Sequence, residues 1–122
     1  MNRFVKSGLT LALTLCTCGT AYAHAHLLQS APATDAVVTA APDVLKLDFS
    51  EGIQLAFTGI SLHGADGGIV PTGHAQLASR NDKEVLVPLP RSLTKGKDTV
   101  EWLALSDDGH TTRGSHEFSV AN

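Results

Sequence analysis

The chain has 122 residues, a formal net charge of −3 and two cysteines, Cys16 and Cys18. An acidic balance argues against nucleic acid and anionic lipid as partners, because both select basic patches. The length suits a single domain, with enough residues for one core without disulfide staples.

In chain order, residues 1–23 read as an export signal. Arg3 and Lys6 give a positive start, and residues 7–18 (SGLTLALTLCTC) are apolar but too short to span a bilayer. Ala21-x-Ala23 is the small-x-small pattern of a cleavage site, so cleavage is expected between Ala23 and His24. Leu15 and Thr17 precede the two cysteines where a lipid-attachment site prefers Gly or Ala. Both cysteines therefore leave with the signal. The expected mature chain, residues 24–122, has 99 residues, no cysteine and no methionine, and 7 basic against 12 acidic side chains. It is exported yet free of disulfides. No second apolar run reaches membrane length, so no membrane insertion of the mature chain is expected.

From His24 onward the pattern is that of strands. "HAHLLQSAP" opens the mature chain and stops at Pro32. In "DVLKLDFS", Leu45, Leu47 and Phe49 alternate with Lys46, Asp48 and Ser50, one buried face and one wet face. "AFTGISLHG" follows and ends at the turn "ADGG". "HAQLAS" is a weaker run, and "EVLVPL" is a good strand that Pro88 confines to an edge or an end. "DTVEWLALS" is the most apolar run and is expected to be central, with Trp102 in phase with Val100 and Ala104 in the core. "DDG" breaks it, and "GSHEFSV" closes the chain. "TAAPDV" reads as a loop because of Pro42. No helical period outlasts a turn or two. The expectation is an all-β domain of seven strands, an antiparallel β-sandwich or Greek-key barrel.

The six histidines carry the chemistry. Cleavage makes His24 the first residue. Its free α-amine and its Nδ1 can then close a six-membered chelate ring on one metal ion, which no internal histidine can do. Asp108 and His110 stand two apart in "DDGH", directly after the central strand, where Gly109 lets the backbone bend. A carboxylate and an imidazole at that spacing can converge on one ion. The donors are nitrogen and oxygen without thiolate, a set that suits Cu(II) in a tetragonal site, with Zn(II) remaining open on affinity order.

At this point the chain resembles a known family. "AHAHLLQSAPATDAVV", "LDFSEGI", "FTGISL", "VPLPRSLTKG", "VEWLALSDDGHTTRG" and "HEFSV" follow one another as in the CopC-type periplasmic copper-binding proteins. The resemblance covers essentially all of residues 24–120. It implies a seven-stranded Greek-key β-sandwich or barrel, a periplasmic location and one Cu(II) per mature chain at the N-terminus. It implies that His24 gives amine and imidazole, His110 a second imidazole, and Asp108 an axial or nearby carboxylate. Amine and two imidazoles form a histidine brace. It also implies a binding protein that sequesters or delivers copper rather than an enzyme, working with an inner-membrane copper-transport protein of the CopD type. A monomer is expected, since no strand has an obviously sticky edge. Some relatives carry a Met-rich loop for Cu(I). The matching stretch here, "LHGADGGIVPTGHAQ", has no methionine, so no Cu(I) site of that kind is expected.

The remaining histidines are read more plainly. His63 and His74 flank that stretch and are expected to be solvated loop residues. His116 shares strand parity with Phe118 and is expected to be packed. His26 admits a rival to the brace. A free N-terminus with histidine at position three can bind Cu(II) through amine, two deprotonated amides and the His26 imidazole. That geometry needs the amides of residues 25 and 26 free, which strand pairing would prevent.

Overall fold

A computed structural model describes residues 25–90 and 93–121. The expected signal segment, residues 1–23, and the ligand candidate His24 lie outside the described residues. All seven expected strands form: β1 (Leu27–Ala31), β3 (Val44–Phe49), β4 (Gly59–His63), β6 (Gln76–Ala78), β7 (Asn81–Pro88), β8 (Gly96–Leu105) and β9 (Thr111–Val120). Two strands of two residues join them, β2 (Val37–Val38) and β5 (Ile69–Val70), making nine among the described residues. Such short pieces carry no readable alternation, so the sequence pattern passes over them. A 3-10 turn, Leu55–Phe57, precedes β4. The "TAAPDV" stretch is loop until β3 begins at Val44.

The strands form two layers, a four-stranded sheet in the order β1-β3-β7-β6 and a five-stranded sheet in the order β2-β9-β8-β4-β5. The all-β sandwich is thus as expected, with one departure from antiparallel pairing. β2 runs parallel to β9, through Val37↔Ser119 and Val38↔Val120. The chain leaves the first sheet after β1 and lays two residues along the end of β9 in the second, a crossing that no hairpin constrains. β8 is the middle strand of its sheet, and Pro88 is the last residue of β7, an interior strand. At that end its missing N–H costs the ladder little.

Period-two alternation builds the core. Leu45, Leu47 and Phe49 of β3 and Val85 and Val87 of β7 face Leu62, Val100, Ala104, Phe118 and Val120 of the second sheet, all nearly inaccessible to water. Trp102 shares that inward phase but is only partly buried. Its ring meets Phe49 edge-on at 5.3 Å and 80°, a contact worth about 0.5–1.5 kcal/mol beyond the area it buries. The ring also lies flat against β9 at Gly114, the register partner of Trp102. A Cβ added there would collide with Trp102 Cζ2 and sit 2.6 Å from Cε2 and 3.0 Å from Cη2. Gly114→Ala should therefore destabilise the fold by about 1–3 kcal/mol through overpacking. A urea denaturation midpoint unchanged from the parent would show that the ring does not rest on that strand.

Candidate metal centre

β8 and β9 are consecutive strands paired over ten registered positions, from Gly96↔Val120 to Leu105↔Thr111. The link between them, residues 106–110, is the "SDDGH" segment. Its backbone closes on itself. Ser106 N–H donates to His110 O (3.0 Å), and Gly109 N–H donates to Ser106 O (2.9 Å). Gly109 takes φ of +87°, the left-handed region where a side chain would be strained.

This closure brings Asp108 and His110 together, as their spacing suggests. His110 Nδ1 lies 3.1 Å from Asp108 Oδ2. The other carboxylate oxygen, Oδ1, accepts from the His110 backbone N–H at 3.1 Å and from the Ser106 hydroxyl. Ser106 is fully buried, so the hydroxyl anchors the carboxylate from the core side. These bonds, the Ser106 hydroxyl first and the His110 amide second, hold the Asp108 carboxyl well below the usual range, at about 2. Asp108 is thus a carboxylate throughout the physiological range. Both side chains stay reachable, with 32% of Asp108 and 53% of His110 exposed.

The neighbouring Asp107 takes no part in this pairing. Its amide donates to Gly52 O at 2.9 Å, and its Oδ1 accepts from Gln54 Nε2 at 2.8 Å. It fastens the turn to the segment before β4. Of two adjacent aspartates, the structure commits one to the scaffold and one to the histidine.

Ala25, the residue after His24, sits at the start of β9. Its carbonyl accepts from the Thr112 hydroxyl at 2.8 Å, and it is wholly buried. His26 is fixed by a pair of bonds to Ser50. Its N–H donates to Ser50 Oγ (2.8 Å), and its carbonyl accepts from Ser50 N–H (2.8 Å). The polar anchors Ser50, Ser106 and Thr112 were not singled out in the sequence. A serine two residues before an aspartate is a weak local signal, and the other two act across the fold.

The remaining histidines separate. His63 is not a loop residue. It ends β4, and its Nε2 lies 3.2 Å from Glu101 Oε2 on the neighbouring β8, a cross-strand pairing invisible to local sequence. His74 is exposed in the loop before β6. His116 is packed as expected, 7% exposed, and neither ring nitrogen has a hydrogen-bond partner among the described residues. Among those residues no three His, Cys, Asp or Glu side chains converge to hold a metal. Asp108 and His110 are two donors, and a complete copper or zinc site of this type needs more.

Burial pushes the His116 ring below its ordinary pKa, an effect that the nearby Asp35 partly opposes. The folded state therefore disfavours its proton, and the unfolded chain binds one more as pH falls below about 6.5. Stability from this residue is complete above that value and declines below it. His116→Leu should remove that decline. In metal-free protein, the variant's melting temperature should gain on the parent's between pH 7 and 5, and parallel curves would refute the buried neutral ring.

Comparison with known proteins places these features. The sequence profile of the CopC domain matches residues 27–121. The chain is 38% identical over 118 residues to Protein YobA of Escherichia coli K12, covering 97% of this chain and 95% of that one. It is 34% identical over 127 residues to Copper resistance protein C of E. coli, covering 98% and 99%. The crystal structure of CopC from Methylosinus trichosporium OB3b superposes with a TM-score of 0.75 at 31% identity, over 80% of this chain and 94% of that one.

Proposed function

Taking as premise that this chain belongs to the CopC family, whose named members include copper resistance proteins, we propose that it is a periplasmic Cu(II)-binding protein. It sequesters or delivers one copper ion per chain through a mature N-terminal histidine brace. Residues 1–23 are the cleaved signal. The His24 amine and Nδ1 and the His110 imidazole would hold the copper, with Asp108 paired to the His110 ring. The chain is a carrier rather than an enzyme. It acts as a monomer that exchanges copper with an inner-membrane transport protein of the CopD type.

One observation carries this reading. Ala25 is held at Thr112, two residues from His110. The residue that follows His24 in the sequence is thus fastened to the strand that leads out of the Asp108–His110 turn. The Asp108–His110 contact supports a division of labour. With Nδ1 directed at Asp108 Oδ2, the ring would bind copper through Nε2. Asp108 then orients the ligand, as carboxylates behind metal-bound histidines do. The His26 amide donates to Ser50 Oγ, so the rival square-planar motif would have to break that bond before deprotonating the amide. This favours the brace.

The deciding test adds one glycine before His24 in otherwise mature protein. The amine moves one residue away while every side chain is retained. Cu(II) affinity should fall at least a hundredfold, roughly 3 kcal/mol. Equal affinity would remove the amine from the ligand set, and with it the brace.

The pH dependence separates the ligands. Amine and imidazole bind metal only when deprotonated, with ordinary values near 7.7–8 and about 6.5. Asp108 is held at about 2, so it does not titrate in that range. Copper affinity should weaken from pH 7 to pH 5. Asp108→Asn should alter the electron paramagnetic resonance spectrum and keep one Cu(II) per chain without moving the pH midpoint. His110→Ala should weaken binding far more than Asp108→Asn. The opposite ranking would make the carboxylate the primary ligand.

A further inference from the structure

One long edge of the sandwich is open. β9 bonds β8 through its even-numbered residues, since Ser106 N–H donates to His110 O and the register continues from there without a break. The odd-numbered residues of β9 therefore turn their N–H and C=O groups to the other side. β2 uses that side at one end. Asp35 N–H donates to Glu117 O (2.6 Å), Ser119 N–H to Ala36 O (2.8 Å) and Ala121 N–H to Val38 O (2.8 Å). Before Glu117, no backbone group among the described residues pairs with Thr111, Arg113 or Ser115 on this side. These three residues are exposed, whereas Glu117 and Ser119, beside β2, are half-buried.

A cavity of about 610 Å³ lies beside this edge, between β9 and the start of β1, lined by Ala25, Leu27, Thr34, Trp102, Thr112 and His116 among others. The Trp102 ring lies across Gly114 and lines the cavity, and this inward-facing tryptophan is only half-buried. Arg113 stands at the middle of the open edge, on the outer face. Among the described residues no carboxylate pairs with it. Glu101, which is in register with Ser115, is already paired with His63 at 3.2 Å.

We propose that the 111–115 edge of β9 is a docking site for an extended, acidic peptide segment of a partner protein, which adds to the sheet as a strand in line with β2. The open N–H and C=O groups of Thr111, Arg113 and Ser115 supply the ladder, and alternate side chains supply the choice of partner. A residue directly opposite Arg113 shares its outward face, where an acidic side chain is favoured and a basic one is repelled. The residues on either side of it turn inward. There they meet the cavity and the Trp102 ring, which Gly114 leaves uncovered, so apolar side chains fit them. A second copy of this chain fits poorly, because the antiparallel register that uses all three open positions sets Arg113 opposite its own copy. A charge on an open edge also discourages indiscriminate pairing. The proposal uses neither His24 nor the Asp108–His110 pair and does not depend on the copper reading.

The test titrates an acetylated and amidated nonapeptide, TVTVEVTVT, into metal-free mature protein at pH 7 and low salt. Trp102 is the only tryptophan of the chain, so its fluorescence should report filling of the cavity and saturate at one peptide per chain. The amides of Thr111, Arg113 and Ser115 should become protected from hydrogen exchange, whereas those of Thr112, Gly114 and His116 already face β8. Arg113→Glu should weaken this peptide about fivefold and strengthen the peptide with a central lysine by a similar factor. Ser115→Pro removes an N–H that the β8 ladder does not use and should abolish binding. If that variant does not fold, the exposed Arg113→Glu exchange decides alone. No binding at about 1 mM peptide would overturn the proposal, as would equal affinity of the parent for the glutamate and lysine peptides. So would a concentration-dependent dimer in which the same three amides are protected without peptide, which would give the edge to a second copy.

Discussion

The β8–β9 hairpin is the constraint on which the rest depends. Ten registered residue pairs fix the two strands against each other, and the turn that joins them is stitched by its own backbone. Register is the key quantity, because a slip of one residue would send every inward side chain to the opposite face. The present register places Trp102 on Gly114 and Val100 beside His116. It also sets Thr112 where it can hold Ala25 and puts Asp98 between the sheets rather than in water. The Trp102 contact, the Thr112 anchor and the burial of Asp98 all inherit their positions from that single ladder.

The candidate metal centre has two halves of different origin. One is local. Ser106, Asp108 and His110 lie within five residues, and their mutual hydrogen bonds would form in almost any hairpin closed this way. The buried serine is what makes the local half rigid, since it reaches the carboxylate from the core and keeps it charged. The other half comes from the distant start of the domain, through Thr112–Ala25 and Ser50–His26. Those contacts join positions 87 and 24 residues apart. In the proposed reading the copper ion bridges the halves, so an assembled site reports both a folded sandwich and a processed N-terminus. That coupling would keep copper from being held tightly by a precursor that has not yet been exported.

The two ends of β8 also differ in chemistry. At one end the donors are imidazole and carboxylate, exposed and mutually hydrogen-bonded. At the other a carboxyl, Asp98, is buried, and its Oδ2 has no hydrogen-bond partner among the described residues. The stretch of residues 62–76 includes the turn at that end and contains no methionine. Its side chains give it no thioether to offer a soft ion.

The sequence by itself determined a good deal. Alternation marked all seven longer strands because period two is a local property that one buried face imposes on each of them. It marked β8 as central, since its run was the most apolar of the domain, although Lys97 and Glu101 on its outer face stay exposed. It also marked the Asp108–Gly109–His110 turn, because a glycine at positive φ between two ligating residue types is written in three consecutive letters. What only the tertiary structure decided is everything that depends on which segments become neighbours. Whether His63 was a loop residue or a partner of Glu101 depended on strand pairing. Which of Asp107 and Asp108 served the scaffold depended on where Gly52 and Gln54 arrived. That Ser50 and Thr112 hold the chain's start, and that Asp98 is left buried without a partner, depended on packing between sheets. The physical reason is the same each time. Periodicity records which way a side chain points, but not which distant residue it will meet there.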